Sequence, residues 1–162
     1  MTASRIPFAT LVSQLTDPDR DVRRKAIARI MRRRFEREQA LSALVELSRD
    51  PDYQVFKAAI KAIVIINHTR VSSHILQLLM IATGSHPSVH RRVFMLKALA
   101  QVDYTQAIPY WLDALGDRSS LMRKAATTAL KDARAFDPLV SLLCDPDPNL
   151  RLNAISGLRI LC

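Results

Sequence analysis

The side chains that could carry out chemistry in this chain are four histidines, two cysteines and 15 acidic residues. The histidines stand at His68, His74, His86 and His90. Their spacing contains neither a His-Glu-x-x-His metal motif nor a His-Glu pair, and the chain has no glycine-rich phosphate loop or nucleophile elbow. The sequence therefore predicts a protein that is not an enzyme and that carries no cofactor or metal.

The two cysteines form neither a metal-binding nor a redox pair. Cys144 ends an apolar run, where we expect a buried thiol, and Cys162 is the last residue. No apolar run reaches the roughly 18 to 20 residues that a membrane span needs, and the first residues lack the basic and then apolar pattern of a signal peptide. We expect a cytoplasmic protein that makes no membrane contact.

Five segments that begin at a turn and continue as an amphipathic helix recur along the chain. They are DPDRDVRRKAIARI from Asp17, DPDYQVFKAAIKAI from Asp50, HPSVHRRVFMLKAL from His86, DRSSLMRKAATTAL from Asp117 and DPDPNLRLNAISGL from Asp145. Their final apolar residues are 33, 36, 31 and 28 residues apart, and a shorter apolar run precedes each turn. One helical hairpin per repeat is therefore predicted, and stacking the hairpins buries the apolar face that one hairpin cannot bury alone.

Three places in these repeats carry local expectations. Asp145 is expected to cap the last helix, with Pro146 as its first residue. Pro109 should kink the first helix of the fourth repeat or delay its start. Arg91 stands where the other repeats have an apolar residue, so a slip of one or two residues is expected in the third repeat.

The shared pattern, D-P-D-x-x-V-R-x-x-A-x-x-A-L after an L-x-x-L-L helix, resembles the HEAT repeat, and specifically the short HEAT-like repeats of the phycobilisome lyase type. The resemblance covers about residues 8–161. It implies an all-α fold, an α-solenoid (right-handed superhelix) of about five hairpins. A single domain over residues 1–162 is expected, with repeats at approximately 6–34, 37–67, 71–102, 105–133 and 136–161.

In HEAT repeats, a turn aspartate and an arginine six residues later characteristically form a hydrogen-bonded ladder between neighbouring repeats. The resemblance therefore implies structural roles for Asp17 with Arg23, Asp117 with Arg123, and Asp145 with Arg151. His86 with Arg92 is a weakened version of the pair. Asp50 is followed by Phe56 at the arginine position, so the second repeat is expected to break the ladder. Eight of the 15 acids lie at the starts of second helices, where they cap N–H groups.

The net charge of +9 favours an acidic partner. Fifteen positions trace one stripe along the five second helices, away from the predicted core, and seven of them are Lys or Arg while none is acidic. About two cations would be expected from the average of 24 in 162 residues. Because second helices line the concave side of HEAT arrays, the resemblance implies a basic groove. Its candidate binding residues, with the adjoining Arg32, are Arg24, Arg32, Lys57, Lys61, Lys97, Lys124, Lys131 and Arg159.

A second basic cluster surrounds the first repeat's second helix. It comprises Arg24, Lys25, Arg29, Arg32, Arg33, Arg34 and Arg37. It is read either as a polar end that keeps the array soluble or as an anchor for phosphates or an acidic protein. Trp111 is expected in the core, and no aromatic residue interleaves with the basic stripe.

Three functions fit these observations. The first is a protein-binding scaffold whose basic groove recognises an acidic protein. The second is sequence-independent binding of nucleic acid phosphates. The third, implied by the resemblance, is a non-catalytic or partner-dependent subunit of a bilin-lyase-like complex. The C-terminal end, with Gly157, Ile160 and Leu161, is expected as a candidate contact for another subunit.

Overall fold

The computed structural model describes residues 6–67, 88–101 and 104–161. These residues form α-helices, short 3-10 turns and loops, without a strand. The α-helices are α1 Phe8–Ser13, α2 Arg20–Met31, α3 Leu41–Glu46, α4 Tyr53–Asn67, α5 Val89–Leu99, α6 Tyr104–Leu115, α7 Ser120–Asp132, α8 Phe136–Ser141 and α9 Pro148–Leu161. The chain divides into two compact units, unit 1 Met1–Ile75 and unit 2 Leu76–Cys162. The all-α prediction is confirmed.

Four of the predicted hairpins lie in the described residues: α1 with α2, α3 with α4, α6 with α7, and α8 with α9. The expected partner of α5 lies outside the described residues. Three of the first helices end in a 3-10 turn, namely Gln14–Thr16, Leu47–Arg49 and Leu142–Cys144. The next residue of each, an aspartate before a proline, is extended with ψ of 133° to 140°. A proline disfavours the helical conformation of the residue before it, so these helices stop there.

The second helices begin later than the sequence predicted. Asp145 does not cap α9, because its carboxylate accepts the N–H of Asp147 at 2.8 Å in a turn before the helix. Asp147 in turn accepts the N–H of Asn149 at 2.8 Å, and α9 begins at Pro148. The expected cap at Asp145 is therefore wrong by two residues. The other Asp-Pro-Asp turns share this arrangement, with Asp19 accepting the N–H of Asp21 at 2.8 Å.

Unit 1 is two hairpins in contact through their second helices, α2 and α4. Each hairpin also packs its first helix on its second. The buried apolar side chains come from all four helices and include Leu11, Leu15, Ile27, Ile30, Leu44, Phe56, Ile60 and Ile63. Burial of the apolar side chains that recur at every third or fourth residue stabilises short helices of this kind in water.

Unit 2 places α7 between two other second helices, α5 and α9, and in contact with both. Trp111 of α6 is fully buried, as expected, and its indole N–H donates to the Leu96 carbonyl at 3.4 Å. Gly157 of α9 lies close to α8, since an added Cβ would stand 3.1 Å from Leu139 Cδ2. Gly157 therefore packs inside the last hairpin. The side chains of Ile160 and Leu161 lie outside the described part of the structure, so the contact expected at this end stays a prediction.

The structure tests two local expectations in unit 2. The predicted slip in the third repeat is wrong: Leu99 is fully buried in the same register as Ile30 and Ile63, and Arg91 is 8% exposed at the apolar position. Pro109 lies inside α6 and does not delay its start.

The buried thiol predicted at Cys144 is also wrong, because Cys144 is exposed. It is the last residue before a turn, and the equivalent Thr16 and Arg49 are likewise exposed.

Candidate binding surfaces

The ladder arginine of the first hairpin binds the turn aspartate of the second. Arg23 Nε lies 2.7 Å from Asp50 Oδ2, and Arg23 Nη2 lies 3.0 Å from Asp50 Oδ1. Both side chains are largely buried, at 12% and 3% exposed. The hydrogen bond to Asp50 raises the pKa of Arg23 against the effect of burial. Asp50 thus supplies the acid of this pair, although Phe56 occupies the arginine position of its own repeat.

The third nitrogen of the same guanidinium binds its own turn, because Arg23 Nη1 donates to the Asp17 carbonyl at 2.7 Å and to the Pro18 carbonyl at 2.9 Å. The sequence motif of an aspartate and an arginine six residues later therefore reports a backbone contact within a repeat. The side-chain pair joins consecutive repeats.

A second pair of this kind lies in unit 2, where Arg92 binds both carboxylate oxygens of Asp117. Burial opposes ionisation of Asp117, but the N–H of Ser119 and the guanidinium of Arg92 outweigh it, so the pKa of Asp117 lies below its usual value. His86, the expected partner of Arg92 within its repeat, lies outside the described residues.

The last two ladder arginines make only the backbone contacts. Arg123 Nη1 donates to the Asp117 carbonyl at 2.9 Å, and Arg151 Nη1 donates to the Asp145 carbonyl at 2.7 Å. In the part of the chain that the structure describes, no ion pair joins Arg123 to Asp145. All four arginines are nevertheless at least partly buried, so they contribute little to the exposed charge.

Unit 1 exposes part of the predicted basic stripe on two adjacent helices. Arg24 of α2 and Lys61 of α4 are exposed, and Lys57 of α4 is half-buried. Arg24 lies 3.4 Å from Asp21, but both side chains are more than half exposed, so this pair is screened by water and salt. Arg32, which follows α2, is exposed and has no ion pair among the described residues.

Unit 2 exposes the rest of the stripe on three adjacent helices. Lys97 of α5, Lys124 and Lys131 of α7, and Arg159 of α9 are all exposed. The core of α7 lies at Met122, Ala126 and Leu130, so these lysines stand on the opposite side of the helix. No ion pair in the described residues involves any of the four cations.

The connection between α2 and α3 holds a feature that the repeat pattern did not predict. Phe35, in the run from Arg32 to Phe35, is 98% exposed. Helical periodicity can assign a side only to residues that lie in a helix, and Phe35 lies in the connection between α2 and α3. The RRRF run itself was the signal, since it places an aromatic residue directly inside the basic cluster.

Two absences hold for the described residues. No group of three His, Cys, Asp or Glu side chains there could hold a metal ion. Among these same helices, none combines the length and the apolar character that crossing a bilayer requires.

Comparison with known proteins matches residues 8–84 to the family described as HEAT repeats. No curated protein matches the chain. Among solved structures, the complex of CpcE and CpcF of phycocyanin lyase from Nostoc sp. PCC7120 is similar with a TM-score of 0.59 and 16% identity, over 99% of this chain and 67% of that one.

Designed repeat proteins are similar as well. The designed armadillo repeat protein YIII(Dq)4CqI matches with a TM-score of 0.55 and 21% identity, over 96% of this chain and 82% of that one. The designed armadillo repeat protein YIII(Dq.V1)4CPAF, in complex with the peptide (KR)4, matches with a TM-score of 0.50 and 19% identity, over 96% of this chain and 82% of that one. At these identities the likeness concerns the fold, and the predicted α-solenoid class is confirmed.

Proposed function

We propose that this α-solenoid is a protein-binding scaffold that recognises an acidic protein through cations on its second helices. The observation that carries this proposal is that exposed cations recur along the predicted stripe in both units. Lys61 in unit 1 and Lys97 and Lys124 in unit 2 lie on the side of their helices opposite the core. None of the three has a carboxylate partner among the described residues.

Unpaired lysines of this kind attract and orient a partner more than they supply affinity. They remain hydrated until binding, and exposed ion pairs contribute about 0 to 1 kcal/mol each. Exposed apolar side chains near the lysines would add to the affinity for a partner. Ile65, one turn after Lys61, is 51% exposed, and Leu152, at a stripe position of α9, is 62% exposed. An acidic partner with scattered apolar side chains fits both features.

The two alternatives have less support. Phosphate binding by the stripe would use the same lysines, but none of the fifteen stripe positions is aromatic, and proteins that bind single strands stack the bases on aromatic side chains. The likeness to the phycocyanin lyase complex is one of fold, and no described residue of this chain favours a bilin site.

The test is a charge reversal on the stripe. The protein is used to capture partners from nuclease-treated extract of its own organism, and each captured protein is then purified and its affinity measured directly. We expect an acidic partner whose binding weakens with salt and falls at least tenfold in the variant Lys61→Glu with Lys124→Glu.

A matched control separates the stripe from net charge. Arg49 and Arg118 are exposed cations at turns, so Arg49→Glu with Arg118→Glu makes the same change in charge elsewhere. We expect this control to bind within about twofold of the wild type. Equal loss in both variants, or binding unchanged by the stripe variant, would refute the assignment.

A further inference from the structure

A hydrogen-bonded turn holds an aromatic ring in solvent between α2 and α3. The N–H of Arg33 donates to the Ile30 carbonyl at 2.9 Å, and the N–H of Arg37 donates to the Arg33 carbonyl at 3.0 Å. The side chain of Arg33 also binds the carbonyl of Ile6 and lies 3.2 Å from a carboxylate oxygen of Glu36. The ring of Phe35, 98% exposed, therefore projects from an ordered segment.

Two adjoining clefts lie at this turn, and the ring lines the first of them. The first, of about 500 Å³, is lined by Arg32, Arg33, Arg34, Phe35 and Glu36. The second, of about 300 Å³, is lined by Ile6, Leu11, Arg29, Arg32 and Arg33. The clefts share two arginines, so Phe35 and Arg29 belong to one continuous surface.

The cations of this surface are free to bind an anion. Lys25 and Arg29 are one turn apart on α2 and both are exposed, as are Arg32 and Arg34. None of these four has an ion pair in the described part of the chain. The acid that lines the first cleft, Glu36, is bound to Arg33. We call Lys25, Arg29, Arg32, Arg34 and Phe35 the α2–α3 basic cluster.

A solvated helix face explains only part of this cluster. It accounts for Lys25 and Arg29, which keep the outer side of the first hairpin polar. It does not account for Phe35, whose ring is 98% exposed, whereas the other exposed large apolar side chains of the described residues reach at most 62%. Nor does it account for arginines lining clefts, since a planar guanidinium binds phosphate with two parallel hydrogen bonds.

We propose that the α2–α3 basic cluster binds single-stranded nucleic acid without sequence preference, with a base stacked on Phe35 and phosphates bound by Arg29, Arg32 and Arg34. A single strand alternates negative phosphates with unpaired flat bases, and that is the pattern of this surface. Proteins that bind single strands combine a basic groove with aromatic side chains in the same way. In a duplex the base faces are stacked on one another and do not reach Phe35.

Two other partners fit less well. An anionic membrane surface is usually bound by a helix with a continuous apolar face, whereas α2 presents cations and Phe35 is a single ring. An acidic protein would pair with the arginines but has no need of an exposed aromatic ring. This surface uses neither Lys61 nor Lys124 of the stripe, so it adds a second activity to the proposed scaffold.

The test measures fluorescence anisotropy of a labelled oligo-dT of about 12 nucleotides, within the site sizes of single-strand binders, on the whole protein at several salt concentrations. We expect binding that weakens with salt, with a slope of about 0.7 in log K per log salt for each phosphate bound. Phe35→Ala should weaken binding about tenfold and leave the slope unchanged, because stacking carries no charge. Phe35→Trp should restore binding.

The arginine variant gives the complementary result. Arg29→Gln with Arg34→Gln should weaken binding and lower the slope by about 0.7 for each phosphate that is no longer bound. The variant Arg49→Gln with Arg118→Gln serves as the control, because it makes the same change in charge at exposed turn arginines, and we expect its slope and its dependence on Phe35 to match the wild type. Since the substituted side chains are exposed, all variants should keep the thermal midpoint of the parent.

Three outcomes would overturn the proposal. The first is no oligo-dT binding at about 50 mM salt. The second is binding that Phe35→Ala leaves unchanged. The third is Phe35-dependent binding to vesicles of phosphatidylcholine with phosphatidylserine, or to polyglutamate, without such binding to oligo-dT. Failure of this test leaves the scaffold proposal standing, because the two use different variants and probes.

Discussion

The first hairpin of unit 1 and the last hairpin of unit 2 depart from the burial pattern of the other repeats in opposite ways, at different positions. Helix α7 has another second helix in contact on each side. Its positions eight and twelve residues after the turn aspartate, Asp117, are Ala125 and Ala129, and both are buried. In α2 these positions are Lys25 and Arg29, and both are exposed. The first hairpin thus carries cations where a helix between two neighbours carries alanine.

The last hairpin shows the reverse at the position ten residues after the turn. Ile27 of α2 and Leu96 of α5 are buried there, at 3% and 1% exposed. Ile155 occupies the same position in α9 and is 53% exposed. The first hairpin therefore exposes cations on one side of α2. The last hairpin instead exposes an isoleucine at a position where α2 and α5 bury their apolar residue. Burial follows from the adjacent helix and not from the residue type.

The largest expected difference comes from truncating the same position in two helices of unit 2. Leu96→Ala should lower the free energy of unfolding by about 3 kcal/mol, because it removes a buried side chain and leaves a cavity. Ile155→Ala should lower it by less than about 1 kcal/mol, since half of that side chain is already in water. Urea unfolding followed by fluorescence of Trp111, which lies in the unit 2 core, measures both. Equal losses would show that Ile155 is buried in solution.

A smaller difference is expected between ladder arginines with and without a carboxylate partner. Arg92→Gln should cost about 2 kcal/mol, because it leaves the largely buried carboxylate of Asp117 without its cation. Arg151→Gln should cost about 1 kcal/mol, as it removes only hydrogen bonds to turn carbonyls. The same urea titration applies, and a larger loss for Arg151 would mean that its guanidinium has a partner in solution.

The smallest expected effect is a pH dependence of the free energy of unfolding, which arises from the ion pair between Asp117 and Arg92. The pKa of Asp117 is below its ordinary value in the folded protein, so its ionisation stabilises the fold above the unfolded pKa of about 4. That stability should be lost as the pH falls through the folded pKa. The variant Asp117→Asn should be less stable than the wild type at pH 6, and the gap should narrow at pH 3. A constant gap would contradict the assigned ion pair.

The fold was predictable in full outline from one sequence, because five copies of a motif in register report the same hairpin. The details that failed are local. Capping moved from Asp145 to Asp147, since Asp145 accepts the N–H of Asp147 within the turn and Asp147 accepts the N–H of Asn149 at the start of the helix. The slip expected at Arg91 did not occur, because the packing of Leu99 fixed the register more strongly than one charged residue could disturb it.

The candidate sites were only partly predictable. Helical spacing alone placed Lys61, Lys97 and Lys124 away from the core, and these lysines are exposed. Phe35 could not be assigned in the same way, because it follows a helix and loop residues have no period that predicts which side they face.

The sequence by itself determined the hairpins, since apolar spacing, proline and aspartate act within a few residues of each other. It also placed Lys61, Lys97 and Lys124 on the sides of their helices away from the core. Only the tertiary structure decided that Asp50 completes the pair of Arg23 across two repeats, that Phe35 stands in solvent and that Ile155 is exposed. Those outcomes depend on distances between segments that are far apart in the chain, and no local pattern of residues encodes them.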